Sequence, residues 1–147
     1  MESSTAQLPG TTRLVELGRE ECVRLLAGGT IGRIAVNSPG WPPLIRPVLY
    51  VFDEPTQSVL FRSADGSKLT SLLRSERAAF EIDGIDAADR LGWSVIVVGP
   101  VEEIAAPDPL ERVCRARVRP WVDVELPRCM RIRATVVSGR RLVRGPG

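Results

Sequence analysis

Gly66-Ser67-Lys68 stands where a predicted strand gives way to a predicted helix, inside the stretch SADGSKLTSLL at residues 63–73. Helix N-termini leave backbone N–H groups unpaired and carry partial positive charge. A glycine there lets an anion approach the backbone closely, so these residue types together predict a phosphate site. Gly66 supplies the approach, Ser67 a hydroxyl and Lys68 a full charge. Arg62 precedes the turn on the incoming strand. Arg46 lies on the strand before it, which is expected to pair with it as a hairpin. The pattern is neither G-x-x-x-x-G-K-[ST] nor G-x-G-x-x-G. The competing reading is that Ser67 caps a helix and Lys68 is a solvated surface charge.

The chain contains no histidine. A Ser-His-Asp triad, a His-ligated metal and a His proton shuttle are therefore excluded. Any enzymatic chemistry falls to carboxylates or to a bound cofactor. Glu102 and Glu103 are adjacent on a predicted strand, so they point to opposite faces and read as solvent-facing rather than as a catalytic pair. Cys22, Cys114 and Cys129 are widely spaced and odd in number. They fit neither a disulfide framework nor a zinc site and read as small buried hydrophobes.

The elements that must position these residues alternate in period. LGREECVRLLAGG reads as a helix, with Cys22, Leu25 and Leu26 on one face and Gly28-Gly29 at its end. TIGRIAVN, LIRPVLYVF, SVLFRS, RAAFEID, WSVIVVGPVEEI and CMRIRATVVSGRRL read as six strands. Pro47 predicts an edge position for the second, because proline donates nothing to the ladder. The apolar run after Trp93 predicts a strand covered on both faces. SKLTSLLRS and DPLERVCRARV read as further helices, GIDAADRLG as a polar loop and RPWVDVELP as irregular. Strands and helices do not alternate regularly. The expected fold is mainly β, an antiparallel barrel with short helices packed on it.

At 147 residues with 44% apolar side chains, the chain suits one domain with a real core. Residues 1–13 read as a disordered tail and 14–147 as the domain. A net charge of +2 gives no case for nucleic acid. There is no apolar run of transmembrane length and no signal-peptide core, so the expected location is cytoplasmic.

The stretch RPVLYVFDEPTQSVLFRSADGSKL resembles, as a unit, the flavin-binding hairpin and helix of the pyridoxamine 5′-phosphate oxidase-like split-barrel proteins. RAAFEID, GWSVIVVGPVEEI and IRATVVSGRRL follow in the family's order, so the resemblance runs from about Leu17 to Leu142. It implies a six-stranded antiparallel split barrel and a homodimer with FMN in a groove between subunits. Carried over by position, Arg46, Ser67 and Lys68 would hold the FMN phosphate, beside Ser63 and Gly66. Arg62 would sit at the phosphate or ribityl chain. Val48, Leu49, Tyr50 and Val51 would run along the isoalloxazine, with Phe61 beside the ring or the ribityl chain. Trp93 and Ser94 would reach the cofactor from the other subunit.

Two departures matter, the first for the cofactor phosphate and the second for the substrate. Ser67 stands where the oxidase has the first residue of an Arg-Lys pair. Val51 replaces a substrate-binding lysine, and the C-terminal Arg-x-His has no counterpart. Pyridoxamine phosphate oxidation is therefore not expected. The expected function is FMN binding in a flavin-dependent oxidoreductase of unassigned substrate. A deazaflavin in the same groove, a flavin-binding module without turnover, and a fold that has lost its cofactor are the alternatives. Of the tryptophans, Trp41 reads as a turn brace, and Trp121 as either a flavin cover or a loop anchor.

Overall fold

The computed structural model describes residues 11–64 and 77–145. Among these residues nine strands and two helices follow one another. They are β1 (Thr12–Leu17), α1 (Arg19–Ala27), β2 (Ile31–Val36), β3 (Leu44–Leu49), β4 (Val51–Asp53) and β5 (Ser58–Ser63). Then come β6 (Arg77–Asp86), β7 (Leu91–Ile104), α2 (Pro109–Arg117), β8 (Arg128–Arg133) and β9 (Val136–Arg144). Every pairing is antiparallel, in the order β3-β2-β6-β7-β8-β5-β4, with β9 between β7 and β1.

The two ends of that order, β3 and β4, are neighbours in sequence, separated by Tyr50 alone. The sheet thus curls until its edges are joined by one residue of chain, which is a split barrel. The long strand β7 makes the curl possible. Its first part pairs with β6 and β9, and its last four residues pair with β8. The changeover is at Gly99, where a Cβ would collide with the Arg133 carbonyl oxygen. Only a residue without a side chain lets the backbones cross this closely.

Nine strands rather than the expected six arise in three places. The second predicted strand breaks at Tyr50 into β3 and β4. The last breaks between Arg133 and Val136 into β8 and β9. Residues 12–17, most of whose side chains are exposed, form β1 through pairing with β9. The expected hairpin is correspondingly shorter. β4 pairs with β5, but β3, carrying Arg46, pairs with β2. β3 is nonetheless an edge strand, as Pro47 requires.

The concave face of the sheet is the main core. Ile34, Phe52, Val59, Phe61, Phe80, Val95, Val97 and Ile132 meet there, and α1 inserts Cys22 and Leu26. A second, smaller core lies on the opposite face of β5 and β8, where α2 seats Leu110 and Cys114 over Leu60, Ile104 and Cys129. Asp108 caps α2, accepting from the Leu110 N–H at 2.9 Å, and Pro109 opens its first turn. The run from Trp93 is not covered on both faces. It alternates, with Val95 and Val97 buried and Ile96 exposed, and no helix among the described residues covers the outer side of β7 there. The helix expected from residue 67 lies outside the described residues. None of the helices among the described residues is long and apolar enough to cross a membrane.

Candidate functional site

A cleft of about 380 Å³ opens where the edge strand β3, the end of β5 and the segment after α2 converge. Arg46, Pro47, Val48 and Leu49 form one side. Arg62, Ser63 and Ala64 form the floor. The far wall is built from Val118, Pro120, Trp121, Val122, Val124 and Leu126. Among the described residues the lining has two guanidinium groups and no carboxylate, and most of the rest is apolar. Such a lining suits a ligand with a flat apolar body and an anionic end. Because β3 is the last strand in the sheet among the described residues, alternate N–H and C=O groups of its backbone face away from β2.

Arg62 builds the cleft as well as lining it. Its Nε donates to the Leu126 carbonyl at 2.9 Å and its Nη1 to the Val118 carbonyl at 3.2 Å. These bonds tie both ends of the wall to β5. Arg115 adds a third tie, from Nη2 to the Pro127 carbonyl at 2.7 Å. From Val122 to Leu126 the wall segment alternates apolar and acidic residues, and Trp121, Val122 and Val124 are exposed. Trp121 is 72% exposed, so it stands on the rim and does not plug the cleft.

The residues expected at a site divide by position. Arg46, Val48, Leu49, Arg62 and Ser63 line the cleft together. Tyr50 turns inward. Its ring meets Phe80 edge-to-face at 4.7 Å, and its hydroxyl donates to the Leu26 carbonyl at 2.6 Å. Its N–H donates to the Thr30 carbonyl at 3.0 Å. Burial pushes the Tyr50 phenol up to about 12. Phe61 is fully buried in the main core, and Val51 packs against the second core. Gly66, Ser67 and Lys68 lie outside the described residues.

Trp93 and Ser94 are neighbours on β7 and so face opposite ways. Trp93 packs against the main core and lines a second cleft of about 590 Å³, with Arg141, Leu142 and Arg144. Its indole rests on Gly84, where a Cβ would come within 2.6 Å of Nε1. Ser94 lies on the outer face of the sheet, between Asp83 and Arg140. The wall residues Val118, Pro120, Val122, Val124 and Leu126 are absent from the sequence reading. Their signal was the apolar alternation of WVDVEL, hidden in a segment without a regular element.

The outer face of the sheet carries a continuous apolar row that the chain leaves open. Register places Ile45, Ala35, Ala79, Val98 and Val136 side by side across five strands. Ile45 is 62% exposed and Val136 51%. The row begins one residue from Arg46, at the rim of the first cleft.

The family model of pyridoxamine 5′-phosphate oxidase matches residues 18–141. An uncharacterized protein of Mycobacterium tuberculosis is 32% identical over 146 residues, covering 96% of this chain and 93% of that protein. An FAD-binding protein of Mycobacterium smegmatis is 31% identical with a TM-score of 0.73, covering 86% of this chain and 97% of its own. An FAD-binding protein of Mesorhizobium loti is 25% identical with a TM-score of 0.70, covering 87% and 97%. With the split barrel, the edge-strand cleft and these matches in place, the chain belongs to the pyridoxamine 5′-phosphate oxidase family.

Proposed function

We propose that this chain is a cytoplasmic homodimer that binds a flavin nucleotide, FMN foremost, in the cleft beside β3 and uses it as an oxidoreductase. The observation that carries this reading is the lining itself, with Arg46 and Arg62 set in an otherwise apolar cleft along a sheet edge. Two similar structures are of FAD-binding proteins, which supports a flavin as the ligand.

The residues fit such a group. Backbone groups along β3 suit the polar edge of an isoalloxazine, and Val48, Leu49 and Leu126 suit its faces. Arg46 suits the phosphate, and Gly66-Ser67-Lys68 follow Ala64 of the cleft floor closely in sequence. Arg62 spends two N–H groups on the wall, so its chief task is to hold the cleft open and shaped. When bound, a flavin supplies hydride or electron transfer, which needs no protein acid or base.

The apolar row from Ile45 to Val136 supports the dimer. A second copy packed there would cover exposed side chains and reach the cleft rim at Arg46. The test is reconstitution of the purified protein with FMN, FAD or a deazaflavin, followed by desalting and an absorbance spectrum. Retention of FMN in near-equal ratio to protein is expected. Retention of FAD or a deazaflavin instead would reassign the cofactor, and retention of none would overturn the reading.

A further inference from the structure

Cys114 and Cys129 converge on one patch of β5, directly behind the cleft. Cys114, on α2, donates from Sγ to the Phe61 carbonyl at 3.6 Å. Cys129, on β8, is the cross-strand partner of Arg62, the next residue of β5. The Cys129 Sγ also lies 3.9 Å from the carbonyl of Glu111, one turn before Cys114. The two thiols therefore share the small core between α2 and β8, near enough for Cys129 to help raise the Cys114 thiol. Cys22 lies apart, in the main core.

We infer that Cys114 and Cys129 form a redox modification site, closing on two-electron oxidation into a disulfide that clasps α2 to β8. The oxidant is a hydroperoxide such as hydrogen peroxide. One sulfur attacks the O–O bond, becomes a sulfenic acid and releases one water. The second sulfur then displaces the hydroxyl as another water, forming the S–S bond. Two thiol hydrogens and two electrons pass to the peroxide, which leaves as two waters.

The position of the pair gives the bond a consequence. Residues 115–128, which join the two cysteines, include the whole far wall of the cleft. Arg62 already holds that wall at Val118 and Leu126. A disulfide adds a covalent tie beneath the same anchors and removes freedom from the open wall. Both sulfurs are at most 1% exposed by residue, and burial raises the Cys114 thiol well above its usual range. Reaction therefore waits for the wall to open and is slow in the closed protein.

The test uses the full chain, reduced and then treated with hydrogen peroxide in sub-denaturing urea, with no flavin present. Peptide mapping without reductant is expected to find Cys114 joined to Cys129 and Cys22 as a free thiol. Cys22→Ala keeps the crosslink and Cys129→Ala abolishes it. Amide hydrogen exchange over residues 118–126 is expected to slow at least tenfold in the oxidised protein. Three free thiols, a crosslink through Cys22, bonds between chains, or sulfinic acid without a crosslink would each overturn the site. A crosslink that leaves wall exchange unchanged would overturn the clasp. Because the readouts need no flavin, their failure is separate from failure of the cofactor reading.

Discussion

The Tyr50 hydroxyl donates to the Leu26 carbonyl at 2.6 Å, fixing the single residue that joins the two barrel edges to the last turn of α1. Gly29 makes this possible, since any Cβ there would occupy the space of the phenol. The bond is the shorter of two at this helix-end carbonyl, which also accepts from the Gly29 N–H at 3.3 Å.

Tyr50 is the only tyrosine in the chain, so its ionisation is directly visible as tyrosinate absorbance. Burial raises the folded phenol to about 12, above the ordinary value of 10.0 reached on unfolding. The neutral phenol is thus favoured by folding. This stabilisation is fully present below pH 10 and is lost as pH rises towards 12. A two-unit shift corresponds to about 2–3 kcal/mol at its limit. A spectrophotometric titration should show no tyrosinate until well above pH 10, coincident with unfolding. Ionisation near pH 10 in folded protein would contradict the burial. Tyr50→Phe should cost about 1 kcal/mol in urea unfolding, by removing a short buried hydrogen bond and leaving the Leu26 carbonyl only its longer bond from the Gly29 N–H.

Arg62→Ala should release the cleft wall. Two hydrogen bonds from a charged, half-buried donor are lost, and a cost of about 1–3 kcal/mol in unfolding free energy is expected. Limited proteolysis should cut first within residues 118–126. A variant as stable and as resistant as the parent would show that Arg62 does not organise the wall.

Gly99→Ala should be among the most damaging changes of one methyl group. The new Cβ would meet a backbone oxygen, which cannot rotate away as a side chain would. A loss of about 3 kcal/mol is expected from such overpacking. A fall in thermal midpoint of less than a degree would contradict the close crossing of β7 and the β8–β9 connection.

Ile45→Asp combined with Val136→Asp places two charges on the open apolar row. Both side chains are largely exposed in the protomer, so folding by circular dichroism should be unchanged. Light scattering should find a dimer in the parent and a monomer in the variant. A parent that is itself monomeric, or a variant that stays dimeric, would exclude this face as the interface.

Element types were mostly legible in the sequence, because period and capping residues are local. Asp108 and Pro109 announce α2, and the alternation of Ala78, Phe80 and Ile82 announces β6. The breaks were not legible. Nothing in LIRPVLYVF marks Tyr50 as a corner, since its turn is imposed by distant partners, Thr30 and Leu26. The site was half legible for the same reason. Arg46 and Arg62 stood out as cations in apolar strands, and the structure gathers both at one cleft. The wall opposite them comes from a segment whose shape depends on carbonyls held by Arg62 and Arg115, long-range contacts that no local pattern encodes.

The most direct measurement is FMN affinity, read by titration of the flavin spectrum with parent protein, Arg46→Ala and Lys68→Ala. On the proposed reading each variant would remove one charge-assisted bond to the phosphate, worth about 1.5–3 kcal/mol, so affinity should fall roughly tenfold to a hundredfold. Removing the phosphate from the ligand, by using riboflavin, should erase the difference between parent and variants. Equal FMN affinity in all three proteins would contradict a phosphate held at Arg46 and Lys68, and with it the assignment of the cleft to a flavin nucleotide.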